Sequence, residues 1–152
     1  MWAGGARAVI IDGEGRVLMV KQRHEGRDIW MVPGGGIEEG ENAGQAAIRE
    51  AKEETGLDIE VKSLLWHVEE VSEKRGQRFV NFFLAEVKSG ALKLGADPER
   101  EKDGQVLREA RFMTRDEVKG LENVYPEYLR DELWLLISSD AAGNNSFKLR
   151  KN

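Results

Sequence analysis

The 152-residue chain contains no cysteine, which excludes disulfides, zinc–thiolate sites and thiol catalysis. Histidine is scarce: His24 and His67 are too few and too isolated for a metal site of their own. No apolar run approaches the roughly 18 residues of a membrane span. Met1 to Ile10 is short, Gly-rich and interrupted by Arg7, unlike a signal h-region, so a cytoplasmic location is expected. Positive charge is in deficit, with a formal net charge of -5, and a whole-protein basic field for nucleic acid is therefore absent. What is present is 40% hydrophobic and 34% charged residues, the balance of a soluble globular chain. The length suits one domain, expected over residues 1–140, with 141–152 as a polar C-terminal tail.

Short β-branched runs over Ala6 to Ile11 and Arg16 to Arg23 predict two strands, joined by the turn Asp12-Gly13-Glu14-Gly15. His24 to Asp28 reads as a charged loop and Trp30 to Val32 as a short strand. Pro33-Gly34-Gly35-Gly36 reads as irregular, because proline stops a helix and glycine favours unusual backbone angles. Asn42 to Glu54 carries Ala43, Ala46, Ala47, Ile48 and Ala51 at helical spacing, and Gly56 stands where a helix stop is expected. Leu57 to Trp66 and Phe79 to Val87 read as hairpin arms around a turn at Glu69 to Arg78, and Lys88 to Gln105 as a long loop. Ala110 to Met113 reads as a strand, Thr114 and Glu117 as a capping box, and Pro126 to Ser138 as a last helix. The pattern predicts an α/β sandwich.

Glu50, Glu53 and Glu54 share one helix face. They crowd the C-terminal, negative end of the helix dipole, where an acid is disfavoured by roughly 0.3–1 kcal/mol. The i,i+4 pair Glu50 and Glu54 adds like-charge repulsion. Helix propensity does not account for that placement, whereas clustered hard oxygens are what Mg²⁺ or Mn²⁺ requires. The competing reading is a solvated charged face neutralised by Arg49 and Lys52. The preceding glycines tip the balance, since they let backbone carbonyls approach a cation held by the helix.

Gly35, five residues, Glu41, seven residues, Arg49-Glu50-Ala51, one residue, Glu53-Glu54, one residue, Gly56-Leu57: this run resembles the Nudix box. Its seven fixed identities would match by chance on the order of 10⁻⁸ per start position at average composition. The resemblance implies an α/β/α sandwich with a mixed central sheet. It also implies hydrolysis of a phosphoanhydride bond in a nucleoside diphosphate linked to another group, with Mg²⁺ or Mn²⁺. Carried onto this chain, Glu50, Glu53 and Glu54 become metal ligands with the Gly34 carbonyl. Arg49 holds a carboxylate in position, and Glu41 and Gly35 support the loop–helix geometry. The general base varies in this family. Glu53 and Glu54 of the box, or Glu99, Glu101 and Glu109 later in the chain, are the candidates, with Glu109 favoured among the later ones.

The box does not name a substrate. The signatures of NADH pyrophosphatases, ADP-ribose, dinucleoside-polyphosphate and coenzyme A enzymes are absent from their usual places. A nucleoside triphosphate or sugar nucleotide is therefore expected, with an RNA 5′-pyrophosphohydrolase or a catalytically idle nucleotide-binding module as alternatives. Trp30, Trp66, Phe79, Phe82 and Phe83 are candidates to stack on a base, against the alternative of core packing. Arg7, Arg23 and Arg27 are candidates for phosphate, of which Arg23 and Trp30 are singled out as substrate contacts. The expected partner is a nucleotide-type small molecule. A membrane is not expected, nucleic acid is disfavoured by the charge, and a homodimer is left open.

Overall fold

The computed structural model describes residues 4–74, 76–95 and 106–138. The chain runs β1 (Gly4–Ile10), β2 (Val17–His24), β3 (Arg27–Met31), β4 (Gly34–Gly36), α1 (Ala43–Thr55), β5 (Asp58–Ser72), β6 (Gly76–Ser89) and β7 (Val106–Met113). Then come α2 (Arg115–Lys119), β8 (Val124–Tyr125), a 3-10 turn (Glu127–Leu129) and α3 (Glu132–Ser138). The α/β class stands, but the strands form two mixed four-stranded sheets, β4-β1-β6-β5 and β7-β2-β3-β8, rather than one. No helix among the described residues is long and apolar enough to cross a membrane.

Strand alternation explains the layers. In β1, Ala6, Ala8 and Ile10 pack with Ala46, Ala47 and Ala51 of α1 and with Phe83 and Ala85 of β6. Val9 points the other way, into a second core with Val80, Phe82, Met19, Met113, Val118, Leu129 and Leu133. One core thus holds α1 to the first sheet, and the other lies beneath α2, the 3-10 turn and α3. The helix face that meets β1 is built from alanines. Their small size brings α1 close to the strand and sets how near its carboxylates come to β4.

Several sequence expectations change. Gly34–Gly36 is a strand, antiparallel to β1, with Gly5 opposite Gly36 and Arg7 opposite Gly34. Glycine is needed there because a Cβ on Gly34 would overlap Arg7 Cγ and lie 2.5 Å from the Ala6 carbonyl. A partner strand thus overrides the irregularity expected of a glycine run. His24 to Asp28 is a tight hairpin, with His24 opposite Arg27, turning through Glu25 (φ 52) and Gly26 (φ 77). The β5 and β6 arms pair out to Ser72 and Gly76, so their turn is much shorter than Glu69 to Arg78. The last helical region is broken. Leu129 closes a 3-10 turn, and α3 starts at Glu132, with the Trp134 indole donating to the Leu129 carbonyl at 2.7 Å. The expected tail 141–152 lies outside the described residues.

Candidate functional site

α1 begins at a capping box, with Asn42 and Gln45 each taking the other's backbone amide, and ends at Gly56 (φ 74), whose amide donates to the Lys52 carbonyl. On this helix Glu50 and Glu54, one turn apart, face inward and are 3% and 1% exposed. The Glu53 side chain sits on the rim, 40% exposed. The three carboxylates share a helix side but meet different surroundings.

Glu54 reaches β4, where its Oε2 accepts a hydrogen bond from the Gly34 amide at 3.1 Å. Glu50 lies against Gly35, where a Cβ would stand 2.5 Å from Oε1 and 2.7 Å from Cδ. The bare glycine leaves that carboxylate its place. Arg49 joins the parts together. Its Nη2 donates to Glu41 Oε1 at 2.7 Å and its Nε to Glu41 Oε2 at 3.1 Å, a bidentate pair. It also donates to the Gly36 carbonyl at 2.9 Å, to Glu50 Oε1 at 3.0 Å and to Glu53 Oε2 at 3.4 Å. Glu41 in turn accepts from the Glu38 amide at 2.8 Å, which ties the loop ahead of α1 to the guanidinium. The Glu41 hydrogen bonds foremost, against the opposing effect of burial and with help from Glu50, drive the Arg49 pKa far above its ordinary value. Its charge is fixed at every working pH.

Among the described residues no three acidic or histidine side chains already converge as a ligand set. The guanidinium accounts for part of this, since it draws Glu50 and Glu53 toward itself. The donor chemistry still suits a hard divalent cation. Three carboxylates stand on one helix side, the Gly34–Gly36 backbone runs beside two of them, and the bare Gly35 lets the Glu50 carboxylate pack directly against that backbone.

The other expected residues lie elsewhere. Glu109 is inside β7 rather than ahead of a strand, opposite Lys21 of the second sheet. Its carboxylate lies 3.9 Å from Lys21 Nζ and 3.1 Å from Arg111 Nε. Trp30 is half-buried in β3, with Lys21 Nζ 5.5 Å and Arg111 Cζ 5.6 Å from its ring centroid. Arg23 pairs with Asp28 at 3.3 Å. Arg7 spans the two sheets, donating to the Val32 carbonyl at 2.7 Å. Phe82 and Phe83 are fully buried, so they belong to the core and not to a base-stacking surface. Trp66 packs edge-on against Phe82, and Phe79 against His67. Glu99 and Glu101 lie outside the described residues.

Two contributors escape sequence reasoning. The Gly36 carbonyl is a backbone group with no sequence signature. The segment after β6 is the other: the Lys93 amide donates to the Thr55 carbonyl and the Gly95 amide to the Glu54 carbonyl, both at 2.8 Å. Gly90 and Gly95 are its only signals in the sequence, and they read simply as loop.

The chain is similar to known proteins. The NUDIX domain model matches residues 1–131. A Methanocaldococcus jannaschii protein named ADP-ribose pyrophosphatase is 32% identical over 127 residues, covering 80% of this chain and 70% of that protein. The Xenopus laevis nucleoside diphosphate-linked moiety X motif 6 protein is 45% identical over 62 residues, covering 41% of this chain, which spans only 29% of that relative. The NUDIX domain of Shewanella oneidensis NrtR, solved with ADP ribose, superposes with a TM-score of 0.69 at 19% identity, over 91% of this chain and 90% of that one.

Proposed function

The chain belongs to the NUDIX domain family, and from that premise we propose that it hydrolyses a phosphoanhydride bond in a nucleoside diphosphate linked to another group. A nucleoside triphosphate or a sugar nucleotide is the substrate class. The observation that carries this reading is the corner where α1 meets β4. There the Gly34 amide, the Gly36 carbonyl, Glu41, Glu50, Glu53 and Glu54 are linked through Arg49 and one buried carboxylate–amide bond.

In this reading Glu50, Glu53, Glu54 and the Gly34 carbonyl hold Mg²⁺ or Mn²⁺. When bound, such an ion neutralises pyrophosphate charge and makes water more acidic. The residues do the rest. Glu54 is held by the hydrogen bond from the Gly34 amide. Glu50 is steered by Arg49 against the bare face of Gly35. Glu53, on the rim, is the carboxylate with the freest approach to solvent and the leading candidate to accept the proton of the attacking water. Glu109 is kept as the alternative base, and Glu109→Gln separates the two, because its carboxylate already answers Lys21 and Arg111. Trp30 and Arg23 are kept as nucleotide contacts. A base stacking on Trp30 would share the ring with the Lys21 and Arg111 cations, which suits an anionic ligand.

The test is a hydrolysis screen of the pure protein across nucleoside triphosphates, nucleotide sugars, ADP-ribose and a 5′-triphosphorylated RNA, with Mg²⁺ and with Mn²⁺. Release of a nucleoside monophosphate or of pyrophosphate, abolished by chelation and restored by the ion, is expected. Turnover that survives exhaustive chelation would overturn the mechanism, and preference for the RNA would move the substrate to that class.

A further inference from the structure

The carboxylate helix is stopped locally, by the left-handed Gly56, whose amide donates a hydrogen bond to the Lys52 carbonyl. That is enough to end a helix. Nevertheless a second set of donors, from residues about forty positions later, closes on the same turn. The Lys93 amide takes the Thr55 carbonyl and the Gly95 amide takes the Glu54 carbonyl, each at 2.8 Å. The approach is backbone to backbone. A Cβ on Gly95 would overlap the Glu53 carbonyl oxygen and lie 2.9 Å from the Glu53 carbonyl carbon. At the other end a Cβ on Gly90 would stand 2.7 Å from the Gly56 carbonyl, and one on Gly56 would stand 3.0 Å from the Ala91 carbonyl. Glycines at 56, 90 and 95 therefore permit the contact.

Its position gives the contact a consequence beyond stability. The residues whose backbone it touches, Glu53, Glu54 and Thr55, include two of the three acids. Amide hydrogens aimed at the last carbonyls also counter the negative end of the dipole, where those acids are most disfavoured. A terminal helical turn frays when left to itself. Pinned from outside, it holds Cα–Cβ directions steady.

We propose that residues 90–95 form a strap that positions Glu53 and Glu54 for the cation, with Gly95 as the positioning residue. The inference rests on the hydrolase reading above. Gly95 touches neither substrate nor ion and acts through the backbone of the two acids. Displacing a reacting group by about 1 Å can cost roughly 100-fold in rate, and a methyl group on Gly95 forces a shift of that order.

The test compares wild type with Gly95→Ala in thermal melts with and without Mg²⁺, and in steady-state kinetics. The expected result is a variant that melts cooperatively, shows a smaller Mg²⁺-induced rise in melting temperature than wild type, and loses roughly 10–100-fold in kcat with a smaller change in KM. A merely structural strap would lower the melting temperature and leave both the Mg²⁺-induced rise and kcat at wild-type values, which overturns the proposal. If Gly95→Ala does not fold, amide NMR of the wild type decides. The Lys93 and Gly95 resonances should move and their hydrogen exchange should slow on Mg²⁺ addition, and unmoved resonances overturn the strap. A wild type that shows neither a Mg²⁺-induced rise nor hydrolysis removes the hydrolase reading and the strap together. A wild type that shows both, beside an unaffected Gly95→Ala, removes the strap alone.

Discussion

Arg49 and Glu41 form a bidentate ion pair, Nη2 to Oε1 at 2.7 Å and Nε to Oε2 at 3.1 Å, between side chains only 23% and 15% exposed. The pair locks the loop ahead of α1 to the turn that carries Glu50 and Glu53. Glu41→Gln removes the charge and one acceptor, and it leaves Arg49 partly desolvated without its main partner. The expected loss is about 1–3 kcal/mol of unfolding free energy, in line with hydrogen bonds to charged groups. Denaturant melts check it. A loss within a few tenths of a kcal/mol would mean that Glu50 and Glu53 suffice to hold the guanidinium.

Gly35 and Glu50 make a second pair whose effect is separable from stability. A Cβ on Gly35 would stand 2.5 Å from Glu50 Oε1. The neighbour is the tip of a side chain, so the carboxylate and not the fold must give way. Gly35→Ala is therefore expected to keep a cooperative melt while turnover falls roughly 10–100-fold through a displaced carboxylate. Wild-type kcat in the alanine variant would show that Glu50 has no fixed position to lose.

Burial divides Glu53 from Glu54, yet the two acids carry the same expectation for different reasons. Glu53→Gln relieves repulsion on the rim and should leave stability without metal equal or slightly higher, because surface changes lie within about ±0.5 kcal/mol. Glu54→Gln alters a carboxylate that is 1% exposed and bonded to the Gly34 amide. Its amide oxygen can still accept, and the dipole end is relieved, so its stability should also be preserved. Both should lose turnover. Wild type should gain about 2.7 kcal/mol when the ion is present at a hundredfold excess over Kd, and both variants much less. Melts of all three proteins with and without Mg²⁺ test this. Equal gains in all three would place the ion elsewhere.

Asp12 gives the fold a pH dependence away from the site. Burial pushes its carboxyl pKa up, but hydrogen bonds from the Arg16 amide, the Arg16 side chain and the Glu14 amide outweigh it, and the value falls below the ordinary 3.8. The folded value is thus below the unfolded one. The stabilisation is fully present above the unfolded value and is lost as pH falls through the folded value. The gap in stability between wild type and Asp12→Ala should hold from neutral pH down to about 5 and narrow below the ordinary 3.8. A gap that stays constant into strong acid would show that the turn does not depend on the charge.

What the sequence determined by itself is local. The common face of Glu50, Glu53 and Glu54 follows from 3.6 residues per turn, and both capping boxes, Asn42 with Gln45 and Thr114 with Glu117, close over three residues. The Gly56 stop and the Asp12–Gly15 turn are equally local. The spacing from Gly35 to Leu57 also carried the family. What only the tertiary structure decided involves partners far apart in the chain. Gly34–Gly36 is a strand because β1 lies beside it, a fact that no property of three glycines contains. The β-strands divide into two sheets because β2 pairs with β7 while β1 pairs with β6. Glu54 is buried and Glu53 is not, because the alanine face of α1 packs on β1 and turns one acid toward Gly34 and leaves the other at the rim. Gly95 reaches the carbonyl of Glu54 only when β5 and β6 have carried the chain out and back. Periodicity records which residues share a face. It does not record what that face will meet, because a contact between distant segments is set by the packing of the whole sheet and not by the spacing within one element.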